Sequence, residues 1–126
     1  MVTAGPDGTA LIVCTTCRGP RRVDGDGARL AASAAEIATE AGYAAITVAP
    51  VACLWSCAHG ASAQLHAAGK VGYIMGGFAP GDARALLDFA AAYATSADGE
   101  VPYAAWPAGI HGHFIARTPP PGLMIA

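Results

Sequence analysis

The sequence predicts a single α/β domain built on one mixed sheet, with elements in the order β-α-β-β-β-α. Three observations predict it. The 126 residues match the size of one ordinary domain. Short apolar runs are separated by stretches with helical spacing. Strand, helix and strand then follow one another within about forty residues, which implies a parallel, right-handed crossover.

Residues 1–8 read as a loose leader. Ala10-Leu11-Ile12-Val13 is an apolar run ending at Cys14, the pattern of a buried strand. Arg18 to Gly27 carries Gly19, Pro20, Gly25, Gly27 and three arginines, and reads as loop. Ala28 to Ala41 is rich in helix formers. Leu30, Ala34, Ile37 and Ala41 recur there as a narrow apolar stripe, and Gly42 supplies the stop. Ala44 to Ala49 is the second strand, closed by Pro50.

Ala61 to Ala67 and Lys70 to Met75 read as two arms of a hairpin joined by Ala68-Gly69, with Val71, Tyr73 and Met75 alternating. Gly76-Gly77 ends it. Pro80 and Asp82 open a second helix through about Ser96, with Leu86, Leu87, Ala90, Tyr93 and Ala94 facing the sheet. These elements give a domain over residues 9–97. Residues 98–126 hold five of the nine prolines and no periodicity. They read as an extended Pro-rich C-terminal tail, packed on the same domain through Tyr103, Trp106, Phe114 and Ile115. Four short strands and two helices in this order are those of a thioredoxin-like core with a four-stranded mixed sheet.

Composition narrows the function. Alanine accounts for 31 residues, nearly half of the 54% apolar fraction, so the mean hydropathy of +0.41 overstates the large side chains available to a core. Seven basic against nine acidic residues leave a net charge of −2. No clustered Lys/Arg footprint for nucleic acid is present. The longest nearly uncharged stretch, Ala41 to Leu65, is broken by Pro50, Ser56, His59, Ser62 and Gln64, so no membrane span is expected. The opening residues, Met1 to Gly8, lack the regions of a secretory signal, and the chain reads as cytoplasmic. In a reducing compartment, two tight cysteine pairs indicate metal or redox chemistry.

Cys14-Thr15-Thr16-Cys17 follows the first strand directly, and Cys53-Leu54-Trp55-Ser56-Cys57 follows the second. Parallel neighbouring strands end at the same edge of a sheet, so the two pairs are expected to converge. Four thiols at one edge repel when ionised, and a cation removes that repulsion. Soft thiolates select zinc, copper(I) or an iron–sulfur cluster. Tetrahedral zinc and [2Fe–2S] both take four cysteines, and spacing alone leaves both open. A thiol–disulfide oxidoreductase fits less well, because the Gly19–Gly27 loop delays the first helix and removes its dipole from Cys17.

Several neighbours bear on the site. Trp55 and Leu54 are candidates to shield it or to dock a partner, and equally ordinary apolar residues. Arg18, Arg21 and Arg22 read as a solvated loop in preference to a counter-charge. His59 reads as loop polarity. His111-Gly112-His113 would place two imidazoles on one side of an extended chain, although such pairs are mostly just exposed. No nucleophile arrangement, phosphate-cradling loop or substrate-pocket chemistry is evident, so a carrier fits better than a catalyst.

Leu11-Ile12-Val13-Cys14-Thr15-Thr16-Cys17-Arg18, Cys53-Leu54-Trp55-Ser56-Cys57-Ala58-His59-Gly60, Gly69-Lys70-Val71-Gly72-Tyr73, Val101-Pro102-Tyr103 and Ala116-Arg117-Thr118-Pro119 resemble a family of small bacterial predicted metal-binding proteins. The likeness runs from about Leu11 to Pro119. That family is similar to the thioredoxin-like [2Fe–2S] ferredoxins, and its members are often encoded near cobalamin-synthesis and cobalt-handling genes. The resemblance implies that Cys14, Cys17, Cys53 and Cys57 ligate a [2Fe–2S] cluster. It further implies one-electron exchange with a redox partner protein, and a homodimer. Those ferredoxins space their first two cysteines much more widely than here, while their later pair matches, so the zinc alternative stays open.

Overall fold

Thr-Ala-Leu-Ile-Val-Cys is apolar or β-branched throughout, and it forms the central strand β1 (Thr9–Cys14), buried at nearly every position on both faces. The computed structural model describes residues 8–16, 18–52 and 60–120. After β1 come α1 (Asp26–Ile37), β2 (Ile46–Val51), β3 (Ala63–His66), β4 (Gly72–Met75), α2 (Ala83–Thr95) and β5 (Phe114–Thr118). Short 3-10 turns at Pro80–Asp82 and Tyr103–Ala105 lead into α2 and interrupt the α2–β5 connection. The strands make one mixed sheet in the order β2-β1-β3-β4-β5, with β1 parallel to β2 and every other pair antiparallel.

Among the described residues the sheet has five strands where the sequence predicts four. The fifth, β5, lies in the stretch expected to be an extended tail, and pairs with β4 from Gly72↔Thr118 to Met75↔Phe114. Its residues Ile115 to Arg117 are exposed, and a bulge near Phe114 breaks the alternation that a strand reading needs. Pairing with β4, not local pattern, makes it a strand. The connection is held by Ile110 and Val101, which are buried, and by Trp106 and Phe114 packed against the core. Tyr103 and Ile115, expected as pins, are exposed.

Other boundaries shift for local reasons. Helix α1 starts at Asp26 after Gly25, which takes a left-handed φ of 85°, and stops at Ile37. Thr39 and Glu40 donate back to Glu36 and Ile37, tightening the chain toward β2 and leaving Ala41 exposed. Pro50 lies inside β2, because β2 is an edge strand and needs no partner on its outer side. The hairpin connection is five residues, 67–71, rather than two. Lys70 and Val71 turn to the end of α2: the Lys70 Nζ donates to Tyr93 and Ala94 carbonyls at 3.2 and 2.9 Å, and the Val71 N–H donates to Asp98.

Leu11, Val13, Ala63, Leu65, Tyr73 and Met75 fall in register on one face of the sheet. They join Leu30 and Ala34 of α1, and Leu86, Leu87, Ala90 and Tyr93 of α2, in one core. Phe89, absent from the predicted face of α2, is fully buried, while Ala94 is only half-buried. A surface ion pair links α2 to the turn after α1, where Arg84 holds Glu40 at 2.8 Å.

Two expected outcomes follow from this packing. Gly99 is buried at φ 85°, and a Cβ there would meet Tyr93 Cε2 at 2.8 Å and the Val71 carbonyl oxygen at 2.9 Å. Gly99→Ala is expected to cost about 3 kcal/mol, from the left-handed backbone plus the clash, as read by urea unfolding. The Tyr93 hydroxyl donates to the Val71 carbonyl at 2.7 Å, and burial pushes its pKa up to about 12 from an ordinary value of about 10. The folded chain therefore holds this proton more tightly than the unfolded chain does. That contribution is complete below pH 10 and is lost as pH rises toward 12. Burial pushes Tyr73 in the same direction. Alkaline unfolding curves should show the decline in this window, and Tyr93→Phe should shrink it.

Candidate metal centre

The strand directions gather five chain segments at one edge of the sheet. β1 and β2 end there in parallel; β3, antiparallel to β1, begins there; β4 ends there, and β5 begins there. Backbone hydrogen bonds continue across this edge beyond the strands. The Thr15 N–H donates to Val51 at 2.8 Å and the Cys14 N–H to Ser62 at 3.0 Å, Phe78 and Ala61 exchange two bonds, and the Gly76 N–H donates to His113 at 2.8 Å.

Cys14 is the last residue of β1, fully buried and paired in register with Val51 of β2. Its thiol donates to the Ala52 carbonyl at 3.7 Å and lies 3.6 Å from the Thr16 hydroxyl. Thr15 donates its hydroxyl to Val51 at 3.1 Å, and Thr16 donates to the same Ala52 carbonyl. The residue directly ahead of Cys53 is thus fastened to the first cysteine of the chain. Cys17, Cys53 and Cys57 lie outside the described residues, as do Leu54, Trp55 and His59. Among the described residues, no cluster of three or more His, Cys, Asp or Glu side chains is present. The donor that is described fits a soft metal or cluster: a sulfur withdrawn from water, at a strand end.

The flanking charge is at the surface. Arg18 pairs with Asp24 at 3.2 Å, and both side chains are largely exposed, as are Arg21 and Arg22. Gly19 passes close to α1, where a Cβ would meet Asp26 Oδ2 at 2.7 Å and the Phe78 carbonyl at 3.2 Å. A side chain at this position would have to displace the Asp26 carboxylate and crowd the Phe78 backbone.

The two C-terminal histidines do not share a side of the chain. Gly112 takes a φ of 85°, so the extended alternation fails between them. His111 packs against Tyr103 and Trp106, with ring centroids 5.0 and 5.2 Å away. His113 stacks on Phe78, with centroids 4.3 Å apart and planes 8° from parallel. Phe78 carries no signal in sequence beyond following two glycines, yet it is fully buried and bonded to Ala61, at the centre of this edge.

Among the described residues, no helix is long and apolar enough to cross a membrane. The α/β fold resembles that of a thioredoxin-like [2Fe–2S] ferredoxin from Aquifex aeolicus. That structure aligns with a TM-score of 0.55 at 18% identity, over 93% of this chain and 98% of that one. A second structure, of the wild-type thioredoxin-like [2Fe–2S] ferredoxin from Aquifex aeolicus, aligns with a TM-score of 0.53 at 16% identity, covering 67% of this chain and 85% of that one. No curated protein matches the chain. Residues 11–120 match the family described as "Protein of unknown function (DUF1636)", and the chain belongs to that family.

Proposed function

We propose that the protein is a one-electron carrier holding a [2Fe–2S] cluster through Cys14, Cys17, Cys53 and Cys57. The observation that carries this reading is the bond from the Cys14 thiol to Ala52, which ties the end of β1 to the start of the second cysteine segment. The fold shared with [2Fe–2S] ferredoxins supports it. A bound cluster supplies a centre that gains and loses one electron, and all-thiolate ligation favours a low potential. This chain's part is to hold the sulfurs at a common edge and to keep water from the buried one.

Carried with this reading are a redox partner protein, a homodimer and a cytoplasmic setting. The thiol–disulfide alternative loses ground, because α1 begins at Asp26, well beyond the first cysteine pair, and its dipole does not reach those thiols. Zinc remains the second reading, favoured by the two-residue gap between Cys14 and Cys17, which is that of a zinc knuckle.

Anaerobic purification followed by iron and sulfide counts, with electron paramagnetic resonance of the dithionite-reduced protein, tests the proposal. About two iron and two sulfide per chain with a reduced-state signal are expected for such a cluster. Colourless protein without sulfide, even after reconstitution, would end it, and about one tightly held zinc per chain selects the second reading.

A further inference from the structure

The chain has seven basic residues, and most are engaged within it. Arg18 pairs with Asp24, Arg29 with Asp26, Arg84 with Glu40 and Arg117 with Glu100. The Lys70 Nζ donates to the carbonyls at the end of α2. Arg21 and Arg22 have no ion pair or side-chain hydrogen bond among the described residues, and both are exposed. Asp24 and Asp26, the acids nearest in sequence, are already taken by Arg18 and Arg29. A chain of net charge −2 thus sets its two uncommitted cations side by side on one loop.

That loop is held in shape. Pro20 and Arg21 are the central residues of a turn closed by the Arg22 N–H, which donates to the Gly19 carbonyl at 2.9 Å. Gly19 is buried against Asp26 and the Phe78 backbone. Arg22 takes a φ of 58°, the one positive value at a non-glycine among the described residues. A side chain in that conformation costs about 1–2 kcal/mol, which glycine would avoid. Apolar surface borders the two cations. Pro20 and Ile115 wall the same cavity of about 430 Å³. Val23 and Ile115, 46% and 44% exposed, are two of the three large apolar side chains exposed among the described residues.

We propose that Arg21 and Arg22, with the apolar rim of Pro20, Val23 and Ile115, form a docking surface for an acidic segment of a partner protein. Unpaired positive charge attracts such a segment and sets its orientation, and arginine beside apolar surface is the composition of protein interfaces. Two cations are too few for a nucleic acid or an anionic lipid surface, which need a longer run. The charged groups are exposed, whereas a small anion is gripped by converging, withdrawn donors. That this partner exchanges electrons rests on the carrier reading above; the chemistry of the surface does not.

Fluorescence anisotropy of a labelled peptide of alternating glutamate and leucine, titrated with the full chain after its iron and sulfide have been counted, tests the proposal. Binding is expected at low salt, several-fold weaker at about 0.15 M salt, and absent with a peptide carrying glutamine for glutamate. Arg21→Gln/Arg22→Gln should weaken it roughly tenfold, while Arg84→Gln, at a cation held by Glu40, should leave it unchanged. No binding at low salt, or a double variant that binds like the native chain, overturns the proposal. Inorganic pyrophosphate or an oligothymidylate bound more tightly than the peptide overturns the choice of a protein partner. Peptide binding by a chain that holds neither iron nor sulfide, even after reconstitution, brings down the carrier reading and leaves the docking surface standing. The native chain's response to salt and to the neutral peptide decides by itself, so a poorly folded variant does not blunt the test.

Discussion

Replacing Cys14 by Ser is expected to lower the iron and sulfide retained per chain by more than roughly tenfold, with little change in the fold. Oxygen is a poor match for a site built from soft donors. The hydroxyl is nearly the same size and can still donate to the Ala52 carbonyl that the thiol now reaches at 3.7 Å, so the β1–β2 junction is kept. The remaining fastenings of that junction, from Thr15 and Thr16 to Val51 and Ala52, do not involve the sulfur. Circular dichroism should therefore report a native-like chain, while the reduced-state paramagnetic signal disappears or changes shape. Full iron and sulfide with an unaltered signal would remove Cys14 from the ligand set.

Phe89→Ala is expected to be the most damaging single change in the core, at about 3–5 kcal/mol. The ring is fully buried on α2, edge-on to Tyr73 at 5.2 Å and to Phe114 at 5.0 Å, with Trp106 at 6.4 Å. Its removal opens a cavity under both β4 and β5, and takes away the ring on which Trp106 of the α2–β5 connection packs. A typical domain has about 5–15 kcal/mol of net stability, so the variant would be close to unfolding at ordinary temperature. Urea denaturation measures it, and a loss below about 1 kcal/mol would mean that the ring cluster adds little to holding β5. Tyr103→Ala, at a ring that is 71% exposed, should by contrast shift stability by no more than about 0.5 kcal/mol.

Phe89 also shows where pattern reading stops. Leu86, Leu87, Ala90 and Tyr93 were legible as the inner face of a helix because they recur at helical spacing. Phe89 falls on the same face, but its partners Phe114 and Trp106 come from a stretch without periodicity, so nothing local marks it as core. The same cause hides β5. An edge strand with exposed residues and a bulge has no alternating pattern of its own. Its existence depends on the free edge of β4, some forty residues earlier in the chain.

The sequence alone determined the parallel crossover, most of the two helical faces and the placing of a cysteine directly at the end of β1. The faces and the strand end depend on spacing and side-chain type within a few residues, and the crossover on the short strand–helix–strand order that allows only one hand. Only the tertiary structure decided that five strands share the sheet among the described residues, that Pro50 can sit within one, and that His113 stacks on Phe78 while His111 packs on Tyr103 and Trp106. Each of these follows from which backbone groups find partners far along the chain, and a left-handed glycine or an unpaired strand edge redirects side chains in ways that no local pattern records.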